Sequence, residues 1–599
     1  RERLVAAGEY AMPQLLEAFL QTDSLALRNA ARRVMLEMGQ QAVMPLVAAL
    51  PELDAPRQEL VVNVLAQIEY DTWLPYVREL QEATDSEDVR RACARAIRMR
   101  LGDRTIEGDV ASWFYDLAER FYAETREVTA FPGEEYQLVW DFNPAIPGSG
   151  LAATPVRTEV YHEAMAMRTS ERSIRHRATR NPAWGLWVAA NFSREIDTPQ
   201  GYENPLYPPD RREAMFFATS LGVDTSQWVL ARALDTNDTP LALRAISAIQ
   251  RIAGAGDMQE PILFVDHRGS ADRRPLIEAL TYPNRRVQYE SALALARTQP
   301  ERFFDGAERV VPLLSSAIRD ASKRFGVVIA PDAERQSVLR RLLEGEGYQV
   351  IAGGSLEEIR APLADLPGVD VVLMDVESDR VRALLGEVRS DPRLSATPAL
   401  VLTQGTNFAQ VRRRLDSDPT VAVRRTGISE DEVRATLATL VEEASGGPIS
   451  PDEARQYAAR SLEALRDLAI SRNAVFDVAD AALPLIATLG ESEGQVKFRV
   501  AEVLSWINQQ RVQVAMMEEA LDAGGIERIE LMEQVANSAK RFGNLLEARQ
   551  IDRLIDFALS AEGIEATAAA SLMGALDLPN DRVVPLIISQ AGQTTTASR

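Results

Sequence analysis

Through the first hundred residues apolar side chains recur at every third or fourth position, in short blocks separated by polar stretches. That period puts the apolar positions on one face of a helix. Three blocks repeat one another: Ala11-Met12-Pro13-Gln14-Leu15-Leu16, Val43-Met44-Pro45-Leu46-Val47 and Trp73-Leu74-Pro75-Tyr76-Val77, with the prolines 32 and 30 residues apart. Proline is tolerated in the first turn of a helix, so each is expected to mark a helix start. Second helices are predicted between them, at residues 27–31, 58–68 and 89–94. Paired helices of this kind cannot bury their apolar faces alone and must stack on neighbours.

The repeat is lost over residues 103–209, where aromatic residues gather. Trp113, Phe114, Tyr115, Phe121 and Tyr122 fall on one predicted helix, and Tyr136, Leu138, Trp140 and Phe142 alternate like one face of a strand. A turn at Pro144, Pro147, Gly148 and Gly150 leads to a predicted helix pair at 159–173 and 182–194, with Trp184 and Trp187 on one side. These rings suit the core of a compact insertion, and Trp113, Trp140, Trp184 and Trp187 are alternatively candidates for a partner-binding groove. Helical periodicity returns over 210–322 and again, after the break Ser445-Gly446-Gly447-Pro448, over 449–589. The tail 590–599, rich in Thr, Ser and Gln, is expected to be disordered.

Residues 323–444 differ in kind. Gly326-Val327-Val328-Ile329-Ala330 is a short β-branched run ended by Pro331 and Asp332, and a helical pattern over 333–344 is stopped by Gly345 and Gly347. Strands are then predicted at 348–351, 369–374, 399–402 and 420–423, with helices at 355–364, 380–389, 406–415 and 429–443. Such alternation implies a parallel sheet covered by helices on both faces, with chemistry at the carboxyl ends of the strands. The fold class is therefore mainly α: helical-repeat arms flanking one α/β domain. Lys323 runs straight into that domain, which implies rigid docking and not a flexible tether.

Two resemblances follow from these residues. The helix pairs resemble HEAT repeats, whose second helix often opens with a run similar to Asp88-Val89-Arg90; Gln288 stands where that repeat usually has Arg. Val371-Val372-Leu373-Met374-Asp375 resembles the strand and phosphoacceptor of response-regulator receiver domains, and Leu400-Val401-Leu402-Thr403 the strand bearing that family's hydroxyl switch residue. The resemblance implies a flavodoxin-like fold with Asp375, Thr403 and a cation after the last strand around the site. The family's acidic pair after the first strand is represented only by Asp332, behind Ala330-Pro331. Its lysine is replaced by Arg424 or Arg425. Mg²⁺ wants oxygen ligands in octahedral geometry, and a guanidinium does not substitute for a compact ammonium. The expectation is a pseudo-receiver in which Asp375 pairs with Arg424 or Arg425, without cofactor; Mg²⁺ enters only if the site is active.

Composition narrows the function. The 88 acids against 66 bases give a net charge of −22, which argues against nucleic acid or an anionic membrane as the main partner. No run approaches the roughly 20 apolar residues of a membrane span. Only Lys323, Lys497 and Lys540 are lysines, a bias associated with GC-rich bacterial genomes. The chain opens on Arg1, from which a missing preceding segment is expected, so the compartment stays open, with cytoplasm favoured over periplasm. One cysteine, Cys93, forbids an internal disulfide and sits in an apolar stripe. His162 and His176 lack metal-ligand spacing, and His267 suits a surface loop. No phosphate loop, nucleophile elbow or catalytic carboxylate pair stands out, so the chain is expected to be no enzyme. The reading is a protein-binding scaffold that also self-associates through exposed stacking faces. The alternative is a signalling protein whose receiver is phosphorylated at Asp375 and alters the shape of the solenoid.

Overall fold

The computed structural model describes residues 1–102, 108–129, 131, 133–179, 181–254, 273–364, 366–416, 418–584 and 588. His267 and the tail 590–599 lie outside the described residues. The chain divides at Arg232 and Ala233 into two units.

In the first unit, helices Met12–Gln21, Leu25–Met38, Gln40–Ala49, Ala55–Leu65, Leu74–Ala83 and Glu87–Leu101 form the expected pairs. Each second helix begins where a short polar side chain satisfies a free amide of the first turn. Ser24 accepts from the Leu27 N–H at 3.3 Å, Asp54 from Arg57 at 3.0 Å and Ser86 from Val89 at 3.4 Å. Their apolar stripes are core: Val61, Val62, Trp73, Val89, Ala92 and Cys93 are all fully buried. Burial pushes the Cys93 thiol up to about 12, the mark of an inert packing residue. Pro13 and Pro75 stand in first turns as expected. Pro45 does not. It lies inside Gln40–Ala49, because Gly39, at φ +61°, ends the preceding helix and lets the next begin five residues before the proline.

The aromatic region combines helices Val110–Tyr122, Tyr161–His176 and Ala183–Asp197 with an antiparallel hairpin of strands β1, Tyr136–Phe142, and β2, Leu151–Arg157. The second strand carries Pro155 and was not expected from the pattern. On a two-stranded ribbon its missing N–H faces no further strand. The first strand packs on helix Gln40–Ala49.

The second unit is a helical array interrupted by an α/β domain. Strands β3 (Arg324–Ile329), β4 (Tyr348–Gly353), β5 (Val371–Asp375), β6 (Ala399–Thr403) and β7 (Val421–Arg425) form one parallel sheet in the order β4-β3-β5-β6-β7. Helices Ala333–Gly345 and Glu430–Ser445 cover one face, through Leu339, Leu343, Val433 and Leu437. Helices Leu356–Ala364, Val381–Ser390 and Phe408–Leu415 cover the other. With both faces buried, the strands carry continuous apolar runs.

The array continues across this domain. Helices Arg285–Thr298 and Val310–Arg319 pack directly on Pro451–Ser471, the first helix after it. Arg460 forks onto Glu290 with two contacts of 2.7 Å, and Asn473 donates to the Pro300 carbonyl at 3.0 Å. Pairs Ala482–Glu491 with Gly494–Leu504, Gln510–Asp522 with Gly525–Phe542, and Ala548–Ser560 with Gly563–Ala575 extend it.

Candidate functional site

The carboxyl ends of β5, β6 and β7 place Asp375, Thr403 and Arg425 as last residues of adjacent strands. Asp375 is nearly enclosed, its side chain 10 % exposed. The expected pairing with Arg424 or Arg425 is corrected by the structure. Arg424 donates to the Val423 carbonyl at 3.0 Å, and the Arg425 guanidinium lies over the Phe408 ring, 4.5 Å from its centroid. The cation at Asp375 is Arg335, on the helix after β3, whose Nε and Nη2 reach Oδ2 at 2.8 and 2.7 Å. The other oxygen, Oδ1, accepts from the Thr426 hydroxyl at 3.0 Å. Both carboxylate oxygens are thus engaged by the protein itself.

Asp332 is drawn into a different task. It is the N-cap of helix Ala333–Gly345, accepting from the Arg335 N–H at 2.8 Å. Capping fixes the first turn of that helix, and so fixes where Arg335 starts its reach toward Asp375. Thr403 is fully buried and its hydroxyl has no hydrogen-bond partner among the described residues, so it is not bonded to Asp375. The donor set does not suit Mg²⁺. A guanidinium occupies the approach to Asp375, and among the described residues no three His, Cys, Asp or Glu side chains converge to hold a metal.

The four tryptophans read as a candidate partner groove are mostly interior. Trp113, Trp140 and Trp187 are buried, and Trp184 is half-buried. The Trp140 indole donates to Glu9 at 2.9 Å and that of Trp187 to Glu171 at 3.1 Å. Burial raises Glu9 to about 6 although the Trp140 hydrogen bond opposes it. An aromatic docking patch at these positions is therefore corrected to a packed core: Trp140 and Trp187 hide their ring bodies and keep the indole N–H bonded, while the buried Trp113 N–H has no hydrogen-bond partner among the described residues. His176 donates or accepts at Glu79, 2.7 Å away, and Arg172 meets the same carboxylate at 2.6 Å. Neither this pair nor buried His162 belongs to a metal cluster among the described residues.

Two residues that the sequence pattern did not single out hold the α/β domain in place. Arg285, its side chain 2 % exposed, donates to the carbonyls of Asp320 at 2.9 Å and Lys323 at 2.6 Å, and to both oxygens of Asp370 at 3.0 Å. Asp370 in turn accepts from the Phe325 N–H at 2.7 Å. Arg286 forks onto Glu453 at 2.6 and 2.8 Å and donates to the carbonyls of Ser445 and Gly447. One array helix thus grips both the entry to the domain and its exit. The only signal in the sequence was two adjacent arginines opening a helix, which a solvated face also produces.

Fold and site together define a class: a helical-repeat protein with an inserted doubly wound α/β domain whose strand-end carboxylate is closed from within. No protein-family model matches the chain, and no curated protein matches it. A solved structure titled "Circular tandem repeat protein with novel repeat topology and enhanced subunit contact surfaces" aligns over 99% of this chain and 100% of its own at 14% identity, with a TM-score of 0.14. At that score the superposition carries no argument, and the class rests on the chain's own geometry. Among the described residues no helix is long and apolar enough to cross a membrane.

Proposed function

We propose that the chain is a non-enzymatic scaffold, HEAT-like on either side of a degenerate receiver domain, that works by binding other proteins. The observation that carries this reading is the closed carboxylate. A phosphoacceptor must present a free carboxylate oxygen for in-line attack, beside cations that stay to neutralise the incoming phosphoryl group. Asp375 instead has a forked ion pair on one oxygen and a hydroxyl on the other. Charge-assisted forked pairs of this kind are among the stronger polar contacts in proteins. The remaining acid, Asp332, is held as a helix cap. Stacked helix pairs supply long surfaces on which partners bind, and the forked grip of Arg285 and Arg286 makes the α/β domain a fixed part of that surface.

The test is intact mass of the purified chain after incubation with acetyl phosphate and Mg²⁺, with Asp375→Asn and a competent receiver in parallel. No added mass is expected on this chain while the competent receiver gains a phosphoryl group. A gain that Asp375→Asn abolishes would instead establish the signalling alternative, with Asp375 as acceptor.

A further inference from the structure

The helix Glu430–Ser445 faces the array, packing on Thr239–Ile252, so the opposite face of the sheet looks away from it. On that face, helix Phe408–Leu415 is unusual: none of its residues is fully buried. Between it and helix Val381–Ser390 lies a groove of about 620 Å³. Its floor is apolar, formed by Val381, Leu385, Val411 and Leu415. Gly386 lies along it in mid-helix, and nothing stands within 4 Å of where its Cβ would be. Glycine there costs about 1 kcal/mol of helix stability relative to alanine, and keeps the groove open.

The rim is basic. Arg382 and Arg414 line it, and Arg412 and Arg413 continue the run on the same helix; all four are exposed. None of the four meets a carboxylate among the described residues, and Arg413 only donates to the Ala409 carbonyl of its own helix. Asp379 is the single acid among the lining residues. Arg389 also lines the groove, but its guanidinium is engaged by the carbonyls of Leu394 and Thr397 and by Thr420. A chain of net charge −22 thus collects unpaired positive charge around an apolar floor.

We propose that this groove docks an acidic amphipathic helix of a partner protein, apolar side on the floor and carboxylates against Arg382 and Arg414. The proposal rests on the scaffold reading and names its partner chemistry. An apolar floor takes the side chains of an amphipathic helix and offers nothing to phosphates, so polypeptide is favoured over nucleic acid.

The experiment pans a random 16-residue peptide display library against the full chain, against Arg382→Glu/Arg414→Glu, and against Gly386→Leu. The last fills the groove without touching charge and raises helix propensity, so misfolding does not explain its effect. Expected are net-acidic peptides with apolar residues at i, i+3, i+4 and i+7, enriched on the wild type alone. A synthetic copy should bind at least about tenfold more weakly to either variant, and its binding to the wild type should weaken between low and high salt. Neutral or basic winners, or binding that both variants keep, would overturn the proposal. So would displacement of the peptide by a labelled single-stranded oligonucleotide, or a dimer in sedimentation that both variants dissolve, which would assign the groove to a second copy. Phosphorylation of Asp375 is read separately by mass, so loss of the scaffold reading and loss of the groove are distinguishable.

Discussion

Glu163 shows how one buried group carries a consequence for the first unit. It sits on the packed face of Tyr161–His176, and one carboxyl oxygen has no hydrogen-bond partner among the described residues. Burial, reinforced by Asp197 and Glu124 and opposed by Arg194, pushes it up from 4.5 to about 8. Below pH 4.5 folded and unfolded chains both hold the proton. Between 4.5 and about 8 only the folded chain keeps it, so each step up in pH favours unfolding, at roughly 1.4 kcal/mol per unit. Glu163→Gln stays neutral at the same size. Its melting temperature should match the wild type near pH 4.5 and exceed it by several degrees at pH 8. Parallel pH profiles in thermal melts would show that the carboxyl is solvated. At Asp375 the lesson is different: a residue picked out for phosphoryl chemistry is held by a neighbour's guanidinium, which keeps a buried charge compensated.

At the scale of elements, the helix Arg285–Thr298 is the hinge pin of the second unit. Its first residue reaches the backbone before β3 and the carboxylate before β5, the amino ends of two adjacent strands. Gly368 packs over its stem: a Cβ there would stand 2.6 Å from Arg285 Cγ. Removing one partner of a buried ion pair costs about 3–5 kcal/mol, because the other is left uncompensated. Arg285→Met should therefore loosen the junction, seen as faster hydrogen exchange at Lys323 and Phe325 with exchange in Gly494–Leu504 unchanged. Unaltered exchange at the junction would mean that Arg285 bears little of the docking.

For the second unit as a whole, the sequence order hides a spatial continuity. Helices before and after the α/β domain stack on each other, with Tyr289 edge-on to Tyr457 at 5.5 Å and Phe304 edge-on to Phe476 at 5.9 Å. Excising residues 324–445, with a short Gly-Ser bridge and Arg285→Met to avoid a stranded charge, should leave a helical array that melts cooperatively in circular dichroism. A helix-poor or aggregated product would show that the array depends on the sheet for its core. A domain held this way is a rigid platform, which suits a scaffold better than a tethered sensor.

Much of this was legible along the chain because it is local. The helix faces follow from the apolar period, the second helices were placed by it inside their first turns and not at the caps Ser24, Asp54 and Ser86, and the alternation over 323–444 implies its sheet. The pattern failed where a choice depended on distant geometry. No strand was expected over Leu151–Arg157, which carries Pro155; in the hairpin its nitrogen faces away from the partner strand. Trp113, Trp140 and Trp187 suited either a groove or a core, and only packing buried them. Arg424 and Arg425, at the end of the last strand, were the cations expected at Asp375. The helix capped by Asp332 brings Arg335 to it across 40 residues, while β7 commits Arg424 to the backbone and Arg425 to Phe408. Periodicity fixes which face a residue occupies; which charge meets which depends on how strands register and helices lie, and that is settled only when the sheet and its covering helices pack.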